Sequence, residues 1–441
     1  MNIKVNLASI LFIVQTNSNM HKNLFLFSLL FLSTLSAASQ ALWNDGYNAY
    51  ITPINSIDVQ CENNSDLEYI SNAINNAKVI GLGEATHGTR EFAQIRHRLI
   101  KHLVINHGIR VFVIEDAFAN TSLINQYITG QKTGDTEVFI KNWMRVWRIE
   151  EMKHLLDWFM AYNKDKPEKE KVQVYGCDMQ NFIGTSISIK NELKQLSRLS
   201  NSIEEGLDLL IQHRHSHKLS KVQKKTIQEM MNELKMLDWT GIENDKQTLQ
   251  LTVKIRVLEQ GIDLLYTNGF KRTLKRDRYM AENVQHIMGI EKNKRMVIWA
   301  HNQHTANKAC QSARTPMGKH LKEAIGDAYY ALGTAFCYGS LYAYNTIQNK
   351  TIICEAGAPK EDCIDLSFAE AKYSNFFIKL NDEKTLAAMP ELLTSKVYSR
   401  RNGFYPENEQ HYNRNYRKHI MTNSFDGLIF FKETTPVLPL D

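Results

Sequence analysis

Short runs rich in valine, isoleucine, leucine and aromatic residues punctuate the chain at AKVIGL (77–82), RVFVIE (110–115), VQVYGC (172–177) and RMVIWA (295–300). Each is bounded by polar or glycine-containing segments, as a strand buried on both faces of a sheet requires. Between the first two, TREFAQIRHRLIKHLVINHG sets apolar residues at Phe92, Ile95, Leu99 and Leu103 and ends on Gly108. That spacing predicts an amphipathic helix with a glycine stop, and IEEMKHLLDWFMAYN (149–163) reads the same way. Strands alternating with helices predict an α/β fold: a layered, mostly parallel sheet flanked by helices.

Residues 184–290 break this rhythm. They hold no convincing strand and are rich in Leu, Lys, Gln and Glu, which predicts a helical insertion that could form a lid near the active site. The catalytic domain is thereby expected in two parts, 42–183 and 291–441. From about residue 327 the runs AYYALGTAFCYG and GLIFFKE look like strands, without clear strand and helix alternation.

With 441 residues and 43% hydrophobic composition, the chain can bury a large core. The segment from Met20 has a basic start, an apolar run of about a dozen residues and small residues before Leu42, the layout of a secretory signal. Residues 1–41 are therefore expected to be removed and the protein to be periplasmic, with Met20 an alternative start. Removing them, with Lys4 and Lys22 and no acids, lowers the net formal charge from +6 to +4, too small a bias to argue for nucleic acid. The signal run is too short to span a bilayer permanently, so no membrane association is expected after cleavage. Six cysteines are too sparse for a disulfide scaffold; Cys354 and Cys363 are the expected pair, and no C-x-x-C supports a cysteine zinc site.

In open α/β sheets, ligands bind beyond the carboxyl ends of strands. Here those ends carry Glu84 and His87, then Glu115 and Asp116, then Asp178, then His301 and His304. Each has a bland alternative: E-A-T-H as an i, i+3 pair on a helix, Glu115 as an arginine partner, Asp178 as a turn cap, H-N-Q-H as a solvated turn, Arg96 as a helix surface charge. Gly81, Gly83 and Gly88 favour a loop around Glu84 and His87, and four strand ends converging on acids and imidazoles favour a site. No G-x-S-x-G elbow, P-loop or strand-linked G-x-G-x-x-G occurs, and Cys177 reads as a buried thiol. Histidine as base, carboxylates to hold it and water as nucleophile remain.

The stretches GLGEATHGTREF, RHRLIKHLV, FVIED, VYGCDMQ, RDRYMAENV and VIWAHNQHTA resemble, in order and spacing, the erythromycin esterase family from about residue 70 to 340. The resemblance implies an α/β protein with a helical insertion near its active site that hydrolyses an ester or macrolide lactone, with a possible part in antibiotic resistance. It assigns function to Glu84, His87, Arg96, Glu115, His301 and His304, and we expect Asp178, Trp147 and Arg148 to bind substrate. His87 is expected to act as general base, Glu84 or Glu115 to orient it, Arg96 and one of His301 or His304 to face the oxyanion, and the other histidine to protonate the leaving group. No cofactor and no metal is expected, and the partner is a small-molecule ester or lactone. Two rivals stand beside this reading: a metal-dependent hydrolase using the same acids and histidines, and a non-catalytic binder of a bulky, haem-like ligand.

The export reading is checked by intact-mass measurement on the periplasmic fraction, which is expected to lack residues 1–41; full-length chain in the cytoplasm overturns it.

Overall fold

The structure is a computed structural model that describes residues 43–74, 76–212, 219–240, 245–308, 315–345, 348, 350–400 and 415–440. The expected signal segment and Cys310 lie outside them. No helix among the described residues is long and apolar enough to cross a membrane.

The apolar runs become β2 (Val79–Glu84), β3 (Val111–Ala117), β4 (Gln173–Asp178) and β5 (Met296–His301), preceded by β1 (Ile51–Pro53). Downstream follow β6 (Tyr329–Asn345), β7 (Lys350–Glu355), β8 (Asn375–Lys379), β9 (Val397–Arg400), β10 (Tyr416–His419) and β11 (Gly427–Thr434). Nine strands form one sheet in the order β1-β8-β11-β6-β2-β5-β3-β4, with β7 paired to β6 and β9 with β10 apart. The run from β11 to β4 is parallel; β1, β7 and β8 pair antiparallel. The central strands extend one or two residues past the apolar runs. Glu84 pairs in register with His301, so these polar residues belong to the strands and do not merely follow them.

All residues of β2, β3, β4 and β5 are buried, because helices cover both faces. On one face Ile80, Leu82, Phe112 and Trp299 pack with α2 (Arg90–Asn106) and α3 (Glu150–Asn163); α1 (Ser65–Ala73) lies beside α2. On the other, Val79, Val111, Val113 and Ile298 pack with Met280, Val284 and Ile287 of the long helix before β5. Alternating residues of one strand thus feed two cores.

Between β4 and β5 the described residues hold no strand and form five helices: α4 (Phe182–Gln195), α5 (Asn201–Gln212), α6 (Lys221–Lys235), α7 (Asp245–Leu265) and α8 (Gly269–Ile290). The first four share a core of their own around Ile189, Leu193, Leu207, Met230, Leu234 and Leu258. α8 belongs to the sheet core instead, so one face of it is fixed against β4.

The cysteine pairing is corrected. Cys354 on β7 and Cys363 before the helix Ile364–Ala369 are free thiols, and Cys363 donates to Asp365 Oδ2 at 3.0 Å. The two are near each other in sequence, but one lies on a strand and the other before a helix, and no disulfide joins them.

Candidate active site

Neighbouring strands β2, β5, β3 and β4 end on Glu84, His301, Glu115 and Asp178, with Ala117 closing β3 two residues beyond Glu115. Glu84 is 2% exposed. Its Oε2 accepts from Trp299 Nε1 at 2.9 Å and from Arg96 Nη1 at 3.3 Å, while Oε1 accepts from His87 Nδ1 at 2.5 Å. Arg96 points inward from α2. It also donates to the carbonyls of Phe92, at 2.9 Å, and Gly83, and lies 5.2 Å from the Trp299 ring. Burial lowers its pKa to about 10, with Glu84 opposing, so it stays charged at neutral pH.

His87 stands in the loop between β2 and α2, packed edge-on against Trp147 at 5.0 Å. Its Nδ1 is committed to Glu84; no hydrogen bond among the described residues engages Nε2. Burial works against its charged form, but the hydrogen bond and charge of Glu84, aided by Glu115, raise its pKa above 6.5. His301 is the opposite case. Its Nδ1 accepts from the Gln303 amide at 3.1 Å, so Nε2 carries the proton and donates to the Ala85 carbonyl at 3.0 Å. Burial and then the nearby His87 push its pKa well below 6.5, and it is a neutral ring with both nitrogens occupied.

The second half of the site gathers around Arg276 of α8. Its Nη2 donates to Glu115 Oε1 at 2.8 Å and to Asp178 Oδ2 at 2.6 Å. Glu115 Oε2 accepts the His301 amide at 2.9 Å, and the Glu115 carbonyl accepts Trp147 Nε1 at 2.8 Å. Burial alone would raise the Glu115 pKa; His304 and Arg276 override it and hold it well below 4.5. His304 donates from Nδ1 to Asp277 Oδ1 at 2.5 Å, with Nε2 3.3 Å from Glu115 Oε1 and 3.1 Å from Arg276 Nη1. Against burial, Glu115 and Asp277 raise its pKa to about 9. Two cations so close are tolerated because Glu115, Asp178 and Asp277 surround them. Counted across the site, Glu84, Glu115, Asp178 and Asp277 balance Arg96, Arg276, His304 and a protonated His87.

Beside His87 opens a mainly apolar cavity of about 290 Å³, walled by Arg145, Val146, Ile149, Leu341 and Tyr342. Its far wall is the β6–β7 hairpin, held to the His87 loop through Gly88: the Gly88 carbonyl accepts the amides of Tyr342 at 3.0 Å and Val437 at 3.1 Å. A Cβ on Gly88 would sit 1.8 Å from the Tyr342 carbonyl oxygen, so only glycine permits this approach. The C-terminal segment completes the clamp, with Leu438 accepting the Glu150 amide at 2.8 Å and Leu440 donating to Arg148 at 2.9 Å. A cavity of about 510 Å³ near Gln131, Gln173 and Gln250 is roomier, but touches none of the charged strand-end groups.

All six of the expected catalytic residues come together, and the geometry is at odds with the expected parts of two of them, Arg96 and His301. Arg96 is buried behind Glu84, with Nη1 engaged by Glu84 and the Phe92 carbonyl and Nη2 by the Gly83 carbonyl, an arrangement that speaks against its facing an oxyanion. His301 has no nitrogen left for proton transfer. The residues expected to bind substrate do not line the cavity beside His87. Asp178 is 1% exposed and saturated by Arg276, Gln180 and the Met179 amide, and Trp147 is 0% exposed. Arg148 lies outside the lining of the His87 cavity, where Arg145 takes that place. Arg276, Asp277 and Trp299 were not singled out as site residues. RDRYMAENV and VIWAHNQHTA contain them, but a helix and a strand interior disguise them as packing.

The chain matches a family model described as erythromycin esterase over residues 104–434, a span that begins downstream of Glu84, His87 and Arg96. It is similar to erythromycin esterase type II of Escherichia coli, 24% identical over 375 residues, covering 75% of this chain and 88% of that one. It is also similar to the putative hydrolase YbfO of Bacillus subtilis (strain 168), 21% identical, covering 93% and 95%. Among solved structures, a succinoglycan biosynthesis protein superposes with a TM-score of 0.76 at 20% identity, covering 89% of this chain and 96% of that one. An erythromycin esterase mutant in its open conformation superposes at 0.65 with 16% identity, covering 87% and 97%. At these identities the superpositions establish the fold.

Removing one member of a buried ion pair strands the other, at about 3–5 kcal/mol. Arg96→Ala is expected to lower unfolding free energy by about that amount, and Arg96→Lys by less; urea titration of both variants checks it.

Proposed function

This chain belongs to the erythromycin esterase family, a family of hydrolases acting on esters, and from that premise we propose that it cleaves the ester or lactone of a bulky, largely apolar small molecule with water activated by His87. The observation that carries the reading is the free Nε2 of His87, set against a His301 and a His304 whose nitrogens are all engaged. Nε2 takes a proton from water as the oxygen bonds to the ester carbonyl carbon. Glu84, across Nδ1, stabilises the imidazolium. Arg276 and the protonated His304 supply a fixed positive field for the tetrahedral oxyanion, where preorganised charge is worth roughly 3 kcal/mol or more. The carbon–alkoxide bond then breaks, and His87 returns its proton to the leaving oxygen, giving acid and alcohol.

The apolar cavity beside His87 suits a hydrophobic substrate, with Arg145 at its rim for a polar group. A macrolide lactone is the substrate we favour, with a role in antibiotic resistance, and periplasmic action after export. In this reading the insertion helps to build the site, because its last helix carries Arg276 and Asp277 into it. The metal-dependent rival has to recruit donors already spent: Glu115 and Asp178 on Arg276, Glu84 on Arg96 and Trp299, both nitrogens of His301 on backbone.

Four outcomes check the mechanism. A raised His87 pKa means the ring must lose its proton above 6.5 before it can act, and His304 loses its charge near 9. The kcat/KM profile for a hydrolysed ester is thus expected to rise through an apparent pKa above 6.5 and fall near 9. Glu84→Gln should move the rising limb to lower pH, and His87→Ala should abolish it while cutting kcat by roughly 10²- to 10⁴-fold. Near wild-type turnover in a folded His87→Ala sinks the assignment. Dialysis against EDTA should leave turnover unchanged; loss restored by zinc or manganese transfers the case to the metal-dependent reading.

A further inference from the structure

At the opposite end of α2 from the active site, a second group of side chains has no part in this chemistry. His102 on α2, His107 at its C-terminal cap and Glu68 on α1 each offer a ligand atom, all within 4.8 Å of one another. His102 is 2% exposed, and its Nε2 has no hydrogen-bond partner although it lies 3.5 Å from Glu68 Oε1. Its Nδ1 is held by the Asn106 amide at 3.1 Å. The Nε2 of His107 is likewise buried and unpartnered, and the two rings stand 5.1 Å apart. Buried imidazole nitrogens are normally satisfied, so two orphaned ones beside a carboxylate call for a ligand.

We propose that Glu68, His102 and His107 bind one zinc ion, forming a staple between α1 and the end of α2. Two imidazoles and one carboxylate suit a borderline divalent cation such as zinc, with water as fourth ligand; magnesium and calcium prefer oxygen donors alone. Tetrahedral zinc at bond lengths of about 2.0–2.1 Å sets its ligands ~3.3–3.5 Å apart. The His102–Glu68 separation of 3.5 Å already meets this, and Glu68, half exposed, has the freedom to adjust. The Asn106 side chain presents either its amide nitrogen or its oxygen to Nδ1. It can accept the Nδ1–H that remains when Nε2 takes the metal, the outer contact that zinc-bound histidines usually have. The nearby cation Arg98 does not oppose this, being paired with Asp66 at 2.7 Å. Twelve residues separate Arg90 and His102, about 18 Å of helix, so the staple acts on stability and not on the ester.

The test uses untagged, EDTA-treated, chelator-free protein titrated with zinc chloride, and with cobalt(II) as a spectroscopic substitute. One equivalent is expected to bind and raise Tm, with cobalt giving visible ligand-field absorption. Glu68→Gln and His107→Gln should each weaken binding by at least about tenfold and lose the Tm increase, while Glu68→Gln keeps wild-type ester turnover. His102→Gln replaces a buried side chain, so the half-exposed Glu68 carries the test if that variant does not fold. Wild-type zinc affinity in both Glu68→Gln and His107→Gln overturns the proposal, as does zinc binding abolished by His87→Ala. Turnover lost on EDTA treatment bears on the hydrolytic reading alone, and the thermal shift on this site alone.

Discussion

The buried carboxylate of Glu84 is the constraint on which the site depends. A carboxylate taken out of water is expensive unless charge and hydrogen bonds replace the solvent, and here Arg96, Trp299 and His87 do so from a helix, a strand and a loop. Each partner is consequently fixed by the need to satisfy one group. Arg96 locks the first turns of α2 to the end of β2, Trp299 ties β5 to the same point, and His87 is left with one nitrogen oriented and the other open. A carboxylate in that position both raises the proton affinity of the ring and fixes which nitrogen can work, two requirements of a general base.

The same logic extends across the sheet to Arg276. Glu115 and Asp178 would be costly as isolated anions, and the guanidinium that satisfies them comes from α8, the last helix of the insertion. Placing the cation on that helix makes the stability of the strand ends depend on how the helix packs. Four acids against four cations leave the centre close to neutral when His87 is protonated. Taking the proton away leaves one uncompensated negative charge, in keeping with the raised pKa of the ring, whose causes are the hydrogen bond and charge of Glu84 and the charge of Glu115.

The wall of the apolar cavity is built by different means. The hairpin β6–β7, the His87 loop and the C-terminal segment converge on Gly88, whose carbonyl receives two amides and whose missing side chain lets the Tyr342 backbone approach. Hydrogen bonds between backbones, not side-chain charges, set the shape of this pocket.

The sequence by itself determined the layered α/β class, the helical stretch between β4 and β5, and the concentration of Glu84, Glu115, Asp178, His301 and His304 at strand ends. Those features are local: a run of apolar residues specifies a doubly buried strand, and a polar residue at its end has to lie at the sheet's rim. Only the tertiary structure decided which partner each of these groups meets. Which histidine is free depends on the Ala85 carbonyl, 216 residues from His301, and which arginine faces the acids depends on a helix 161 residues from Glu115. The directions of Arg96 and Trp147 were not legible, since burial behind Glu84 or against His87 is a property of neighbours distant in the chain. The free Cys354 and Cys363 make the same point: nearness in sequence does not set the separation of two side chains once a strand and a helix intervene.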